Sequence, residues 1–304
     1  MNKDKMEYDV IIIGAGPAGM NAAVYAARYR MKTLVFGEIT GGAAAKAYEI
    51  CNLLTHKKIR GFELAVKMKE QVTGLGVEVK SDRVEKVSLG KFFEVRTCDK
   101  TYLAKKVILA CGTEDRKLEM DNEDKFIGRG ISYCATCDAA FFKDKVVGVI
   151  GGNDAALTAA LLLSEYAAQV YIIYRKDRFF RPEPAWVQLI EKNKKIKPIF
   201  NSNVVKLVGK DKLEGVLLDS EKNVKLDGLF IEIGSIPRTE LAKDTGVKLE
   251  HGFIKTDSEQ KTNVYGVFAA GDVTNNSLKQ IITAAAEGAI AAKSAYDEIL
   301  GESS

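Results

Sequence analysis

Hydrophobic and polar positions along the chain predict a strand, a glycine-rich turn and a helix close to the start. Residues 8–13 form an almost continuous apolar run, which is typical of a buried strand. Apolar residues then recur at helical spacing through residues 18–29, and residues 32–36 begin the next strand. The same order returns over residues 145–175. The pattern therefore predicts two βαβ openings of the Rossmann type.

Shorter apolar runs follow each opening. Residues 76–80, 92–97 and 106–110 alternate in polarity and suit a meander of strands. The chain later returns to a strand over residues 265–270 and to an alanine-rich helix over residues 280–300. These runs predict an α/β fold with two Rossmann-like domains.

Composition narrows the class of protein without identifying it. The chain has 304 residues, enough for about two domains. Its formal net charge is +4, from 45 Lys and Arg against 41 Asp and Glu, and this excess is too small and dispersed to indicate nucleic-acid binding. No apolar run approaches the roughly 20 residues of a membrane span, and no secretory segment is recognisable. We expect a cytoplasmic protein that binds neither nucleic acid nor membrane.

The first glycine turn carries the pattern of a dinucleotide site. Gly14-Ala15-Gly16-Pro17-Ala18-Gly19 follows a predicted strand and opens a predicted helix, so backbone N–H groups and the helix dipole would face a pyrophosphate. Glu38 stands about 22 residues beyond Gly16, where an acid accepts hydrogen bonds from an adenosine ribose. The alternative is a turn needed only for close helix packing.

The second glycine turn departs from the same pattern. It reads Gly151-Gly152-Asn153-Asp154-Ala155, so a side chain stands where backbone normally approaches phosphate. The strand that follows leads into Tyr174 and then into a basic segment, namely Arg175, Lys176, Arg178 and Arg181. Such cations suit a ribose 2′-phosphate and favour NADP(H) over NAD(H). The alternatives are a solvated loop or a docking patch for an acidic protein.

Two closely spaced cysteines are the main candidates for chemistry. Cys134 and Cys137 are three residues apart, with Ser132 placed to cap a helix that carries both sulfurs near its N-terminus. Asp138 follows directly and is placed to move a proton. Zinc is the alternative, but no second such pair exists and there are only two histidines, so we expect no metal site and no hydrolase chemistry. The three other cysteines are interpreted as small packing residues; they are Cys51, Cys98 and Cys111.

Together these motifs resemble the low-molecular-weight thioredoxin reductases of the pyridine nucleotide-disulfide oxidoreductase class. The resemblance covers nearly the whole chain. It rests on the two glycine turns, the Cys-x-x-Cys-Asp motif and several further stretches, namely Gly41-Gly42, Asn52, 61–64, 110–113, 128–132, 234–237, 266–273 and Lys279-Gln280.

The resemblance implies a dinucleotide-binding domain inserted into an FAD domain. The FAD domain would comprise residues 1–114 and 244–304, and the inserted domain, which carries the cysteine pair, residues 115–243. The FAD residues implied are Gly14, Gly16, Pro17, Ala18, Gly19, Glu38, Gly41, Gly42, Ala43, Asn52, Gly112, Gly271, Asp272, Lys279, Gln280 and Ile281. Those implied for NADPH are Gly151, Gly152, Asn153, Asp154, Ala155, Arg175, Lys176 and Arg181.

The resemblance also implies roles for the redox residues and a set of partners. Cys137 would take electrons from the flavin, Cys134 would attack the disulfide of thioredoxin or a similar small dithiol protein, and Asp138 would donate the proton. A cytoplasmic homodimer is implied, with a rotating inserted domain. The altered residues of the second glycine turn leave ferredoxin or a deazaflavin as an alternative donor, and a non-catalytic FAD-binding redox sensor is a further alternative.

Overall fold

The computed structural model describes residues 7–179 and 182–303, so Arg181 of the predicted nucleotide site lies outside the described residues. No helix within these ranges combines the length and the apolar character that crossing a membrane requires. The same ranges contain no group of three or more His, Cys, Asp or Glu side chains placed to hold a metal ion.

The chain divides into two compact units. The first unit combines the chain up to Glu114 with the chain from Pro237 onward, and the second consists of Asp115–Ile236. The second crossing between units therefore comes before Pro237, and residues 237–243 lie in the first unit rather than in the inserted one.

Both units contain strands and helices. The strands are β1 (Glu7–Ile13), β2 (Thr33–Phe36), β3 (Glu78–Lys80), β4 (Lys86–Ser88), β5 (Phe93–Arg96), β6 (Thr101–Leu109), β7 (Thr113–Asp115), β8 (Ile131–Ser132), β9 (Val146–Ile150), β10 (Gln169–Ile173), β11 (Ile196–Ile199), β12 (Val204–Val208), β13 (Gly215–Leu218), β14 (Asn223–Lys225), β15 (Gly228–Ile231), β16 (Ser235–Pro237), β17 (Leu249–Glu250), β18 (Phe253–Ile254) and β19 (Val267–Ala269). The helices are α1 (Pro17–Arg28), α2 (Gly61–Gly74), α3 (Glu123–Phe126), α4 (Ala135–Asp138), α5 (Asp154–Tyr166), α6 (Pro184–Lys192), α7 (Glu240–Asp244) and α8 (Ile281–Ser303), with 3-10 helices over Gly42–Lys46 and Ala139–Phe142.

A largely parallel sheet forms the centre of the first unit. Its strand order is β3-β2-β1-β6-β5-β4, and β19 also pairs with β6. Strands β4, β5 and β6 form an antiparallel meander, in which β5 and β6 match the predicted runs at 92–97 and 106–110 and β4 is additional. The meander prediction is wrong for residues 76–80, because β3 pairs parallel to β2. Helix α2 lies between these two strands in the sequence and supplies the crossover that a parallel pair needs.

Both faces of this sheet are covered, which explains why β1 is apolar at nearly every position. Val10 and Ile12 belong to the core on the side of α1 and α8, whereas Ile11 and Ile13 belong to the core on the other side. Helices α1 and α8 approach so closely that a Cβ added at Gly288 would lie 2.0 Å from the carbonyl oxygen of Ala18. The start and the end of the chain therefore build one core.

A buried lysine joins the end of α8 to the sheet. Lys106 in β6 is 1% exposed, and its Nζ lies 2.9 Å from Oε2 of Glu298 and 2.6 Å from Oε1 of Glu302. The Nζ also lies 4.0 Å from the ring centroid of Tyr265, whose hydroxyl donates to Glu302. Burial alone would lower the pKa of Lys106, but its hydrogen bonds to the two glutamates outweigh burial and raise the pKa.

Replacing Lys106 with methionine is expected to lower the free energy of unfolding by roughly 1–3 kcal/mol, because Glu298 loses its partner while partly buried. The hydrogen bond from Lys106 lowers the pKa of Glu302 from 4.5, so its contribution is present above that value and is lost as the pH falls. Lys105→Met is the control, because the Lys105–Asp9 pair is more exposed and should contribute less than about 1 kcal/mol. Urea unfolding at neutral and acidic pH measures both effects; equal losses in the two variants would contradict the prediction.

The second unit repeats the βαβ order in a parallel sheet. Its strand order is β11-β10-β9-β15-β8, and β12, β13 and β14 form a separate antiparallel sheet. The predicted strand over residues 146–150 is β9, and α5 and β10 follow it within a residue of the predicted positions. The two glycine turns thus hold equivalent places, the first between β1 and α1 and the second between β9 and α5, each at the start of a βαβ run.

Candidate active site

The first glycine turn fits tightly on the backbone beneath it. Gly14 has φ +124°, and a Cβ there would lie 1.9 Å from the carbonyl oxygen of Ala110. A Cβ at Gly19 would lie 1.8 Å from the carbonyl oxygen of Gly14. Helix α1 begins at Pro17, and its N-cap residue Gly16 supplies no side chain to cap the helix. The first-turn N–H groups of α1 therefore have no side-chain cap, which suits an anion.

Two other predicted segments meet the same turn. A Cβ at Gly42 would lie 3.1 Å from Cα of Gly16, and the N–H of Gly41 donates to the carbonyl oxygen of Ala15 at 2.7 Å. From the far end of the sequence, a Cβ at Gly271 would lie 2.8 Å from Cβ of Ala18. Bare backbone from three separate segments thus lines one cradle. We call this set of residues 14–19, 41–43 and 271–272 the first-unit cradle.

Polar side chains extend the first-unit cradle on the side of α8. Asn52 donates from Nδ2 to Oε1 of Gln280 at 3.0 Å, and Ile281 is the first residue of α8. Burial raises the pKa of Asp272, and the charge of Lys279 opposes that effect. Burial also disfavours the charged form of Lys279, and for a lysine this lowers the pKa. These groups offer hydrogen-bonding partners for hydroxyl groups of a ligand.

A buried carboxylate that the sequence patterns do not reveal holds this side in place. Glu287 in α8 accepts hydrogen bonds from the N–H of Gly271 at 2.7 Å and from Oγ1 of Thr274 at 3.2 Å. Asn276 also donates to it. The only signal for Glu287 in the sequence is a single acid within the small-residue stretch of α8.

At the opposite side, an arginine lies beside the predicted ribose acceptor. Nη1 of Arg238 is 3.6 Å from Oε2 of Glu38, and its Nε is 3.8 Å from Oε2 of Glu114. The N–H of Arg238 donates to the carbonyl oxygen of Gly112 at 3.0 Å. The structure therefore brings Glu38 and Gly112 together and adds Arg238, which no motif indicates.

The cysteine pair lies in the second unit. Cys134 and Cys137 form a disulfide, with their Cα atoms 5.3 Å apart. Cys134 is the N-cap residue of α4, and its Sγ accepts a hydrogen bond from the N–H of Cys137 at 3.2 Å. The prediction that Ser132 caps this helix is wrong: its hydroxyl accepts from the N–H of Cys134 instead. The cysteine itself takes the capping position because the helix begins only at Ala135. Asp138 ends the same short helix.

A second network anchors the residue before the pair. The hydroxyl of Tyr133 donates to the carboxylate of Glu123, which is 5% exposed. The same carboxylate accepts from the N–H of Met120 at 3.1 Å, and the N–H of Leu118 donates to the Tyr133 hydroxyl at 3.1 Å. Residues 118–123 and the start of the redox segment are thus held together by side-chain contacts between residues 3 to 15 positions apart, which no motif indicates.

The other three cysteines differ in their surroundings. Cys51 and Cys98 are exposed, so interpreting them as packing residues is wrong. Cys51 donates to Oε1 of Glu49 at 3.3 Å. Cys111 lies against the carbonyl oxygen of Ile13 at 3.6 Å, and burial raises its pKa to about 12. Cys111 therefore stays protonated and is no nucleophile at neutral pH.

The second glycine turn is not bare. Asn153 is the N-cap residue of α5, and its Oδ1 accepts from the N–H of Ala156 at 3.0 Å. A Cβ at Gly152 would lie 2.4 Å from the ring of Tyr174. Oδ1 of Asp154 accepts from the N–H of Glu183 at 2.7 Å. The basic residues of the following segment are exposed, namely Arg175, Lys176 and Arg178.

Comparisons with known proteins agree with this arrangement. The family model described as pyridine nucleotide-disulphide oxidoreductase matches residues 8–288. A thioredoxin reductase of Listeria monocytogenes is 39% identical over 100% of this chain and 98% of its own. The crystal structure of Lactococcus lactis thioredoxin reductase superposes with a TM-score of 0.93, at 38% identity over 97% of this chain and 99% of its own. A ferredoxin-flavin thioredoxin reductase of Clostridium acetobutylicum gives 0.55, at 34% identity over 98% and 99%.

The fold and the cysteine pair define a two-unit α/β oxidoreductase acting on disulfides. The chain belongs to the pyridine nucleotide-disulphide oxidoreductase family. Within it, the resemblance to low-molecular-weight thioredoxin reductases is confirmed, as are the predicted α/β fold and the prediction of an enzyme. Membership of the family implies the use of a flavin and a pyridine nucleotide.

Proposed function

We propose that this protein is an FAD-dependent thioredoxin-disulfide reductase that passes two electrons from NADPH to the Cys134–Cys137 disulfide and then to thioredoxin. One observation carries the proposal: a cysteine disulfide at a helix start, followed by Asp138, stands in the same chain as an uncapped dinucleotide cradle. Family membership supports a pyridine nucleotide, rather than ferredoxin or a deazaflavin, as the donor.

The first-unit cradle fits FAD. Its uncapped α1 start suits the pyrophosphate, Glu38 and Gly112 suit the adenosine side, and Asn52, Asp272 and Lys279 suit the ribityl and flavin side. The glycines let the backbone segments of the cradle approach one another closely. When bound, FAD supplies the two-electron transfer that opens the disulfide. We assign to FAD binding all the residues that the sequence analysis names for FAD. Arg238 and Glu287 are positioning residues for them.

The reduced Cys134–Cys137 pair transfers its electrons to thioredoxin by thiol-disulfide exchange. The Cys134 thiolate attacks one sulfur of the thioredoxin disulfide and forms a mixed disulfide, while the other thioredoxin sulfur leaves as a thiolate. Asp138 donates a proton to that leaving group. The Cys137 thiolate then attacks Sγ of Cys134, which releases the second thioredoxin thiolate and restores the Cys134–Cys137 disulfide. Two electrons have then moved from the enzyme dithiol to thioredoxin.

The donor is tested by anaerobic bleaching of the flavin with NADPH and with NADH. We expect faster bleaching by NADPH, because Arg175 and Lys176 are exposed just after β10, where a 2′-phosphate would lie. A double variant, Arg175→Ala with Lys176→Ala, should raise the KM for NADPH about tenfold or more and leave that for NADH nearly unchanged. Lys192→Ala with Lys194→Ala, which removes two exposed positive charges at the end of α6, is the charge-matched control.

Two outcomes would overturn parts of this proposal. Equal loss of NADPH and NADH use in the double variant would remove the 2′-phosphate role from these cations. If neither nucleotide bleaches the flavin while dithionite does, and thioredoxin is then reduced, the donor is ferredoxin or a deazaflavin. Absence of turnover with every donor and acceptor would instead indicate a redox sensor.

We also propose a cytoplasmic homodimer, supported by the resemblance to thioredoxin reductases. Exposed apolar side chains on the first unit, such as Leu54 and Phe62, are consistent with a covered face. Light scattering that gave the mass of one chain at micromolar concentration would exclude the dimer.

A further inference from the structure

The two glycine turns differ in what covers them. At the first turn, the N-cap residue of α1 is Gly16, and no side chain caps the helix. At the second, the N-cap residue of α5 is Asn153, whose Oδ1 accepts the N–H of Ala156. The N–H of Ala156 at the start of α5 therefore already has a hydrogen-bond partner within the protein, whereas no side chain caps the start of α1.

An aromatic ring covers the same turn from another side. The ring of Tyr174 lies so close to Gly152 that an added Cβ would meet Cε2 at 2.4 Å and Cδ2 at 2.5 Å. The ring stacks on Phe179, with centroids 5.9 Å apart and planes at 21°, and Phe179 meets the edge of Phe200 at 5.0 Å. Tyr174 is thus the first of three aromatic side chains in a row, and the contact with Phe179 holds its ring in place.

At Tyr174 only the side chain, and not the backbone, must move to uncover Gly152. Its N–H donates to the carbonyl oxygen of Ile199 at 2.9 Å, and its own carbonyl oxygen accepts from the N–H of Ser202 at 3.2 Å. These bonds fix the backbone, so removing the ring from Gly152 is a side-chain rotation away from Phe179. Releasing Asn153 likewise requires only that a ligand oxygen replace Oδ1 at the N–H of Ala156.

We propose that Asn153 and Tyr174 form a two-part cover over the second glycine turn, and that this cover sets the affinity of the enzyme for its pyridine nucleotide. The inference rests on the proposed function. The pyrophosphate binds only after it displaces the Asn153 carboxamide from α5 and the Tyr174 ring from Gly152. The exposed cations Arg175 and Lys176 hold the far end of the nucleotide but do not open the cover.

The test measures binding of NADP⁺, which does not reduce the flavin, to the oxidised holoenzyme by calorimetry. Asn153→Gly and Tyr174→Ala are each expected to lower the Kd, and the double variant to lower it by about tenfold or more. Tyr174→Phe keeps the ring and should therefore lack the gain in affinity of Tyr174→Ala, and Asn153→Ser, whose hydroxyl can still cap the helix, should lack the gain of Asn153→Gly. Tyr166→Ala, at the other end of α5 and partly exposed, is the control for unrelated loss of an aromatic side chain.

The outcomes separate this inference from the choice of donor. A double variant that keeps its flavin and melting temperature but binds NADP⁺ no more tightly than the wild type overturns the cover. Tighter binding in the Tyr174→Phe variant would also contradict it. If NADPH fails to bleach the wild-type flavin but the double variant gains binding, the cover is supported and the proposed donor is wrong. If NADPH bleaches the wild type rapidly and no variant changes the Kd, the donor stands and the cover does not.

Discussion

Replacing Cys137 with serine is expected to abolish thioredoxin reduction while the protein keeps its flavin. Without the Cys137 thiol, the disulfide with Cys134 cannot form, so there is no acceptor for the flavin electrons and no group to resolve the mixed disulfide. Loss of a residue that forms covalent bonds in every turnover should lower kcat by about 1000-fold or more. The residues of the first-unit cradle belong to the other unit and are untouched by the change.

The measurement is NADPH- or dithionite-driven reduction of thioredoxin, with the visible flavin spectrum recorded on the same sample. Cys98→Ser is the matched control, because Cys98 is exposed and is not part of the disulfide. It should retain wild-type turnover. Turnover that persists in Cys137→Ser at more than a few per cent of the wild-type rate would remove the disulfide from the reaction.

The second large effect is expected at the first glycine turn. Gly14→Ala should yield protein without bound flavin and should lower the free energy of unfolding by roughly 3 kcal/mol or more. The new Cβ would lie 1.9 Å from the carbonyl oxygen of Ala110, and φ at this position is +124°, which side-chain-bearing residues rarely adopt. Strand β1 and residue 110 would have to separate, and the start of α1 would move with them.

Gly74→Ala is the control for this substitution. Gly74 ends α2, and a Cβ there would meet nothing within 4 Å. The same chemical change should therefore be neutral or stabilise by about 0.5–1 kcal/mol. Flavin absorbance per protein and thermal unfolding measure both variants. A Gly14→Ala protein that purifies with a full complement of FAD would contradict the close fit of the first-unit cradle.

Sequence patterns predict the repeated elements because each signal is local. The strand over residues 146–150 is recognised from its own apolar run, and the glycine turns from their place between strand and helix. Residues 76–80 show where this fails. Their alternation indicates a strand but not its partner, which depends on the crossover through α2.

The supporting contacts of the site lie beyond such patterns. Glu287 bonds to Gly271, and Arg238 lies beside Glu38, across long stretches of sequence. Neither Glu287 nor Arg238 belongs to a sequence motif that would indicate its role. The proposed cover over the second turn can be predicted only in part. The sequence shows that Asn153 replaces a glycine of the motif, but it does not show that the Tyr174 ring lies against Gly152.

The insertion of one unit within the other has a consequence for synthesis on the ribosome. Residues 115–236 are continuous, so this unit has all its strands before residue 237 is made. The first unit, by contrast, still lacks β19 and α8 at that moment, and the face of α1 that meets Gly288 has no covering helix. We expect nascent chains whose residues up to about 240 have left the ribosome to hold a finished redox unit and an open, chaperone-dependent flavin unit.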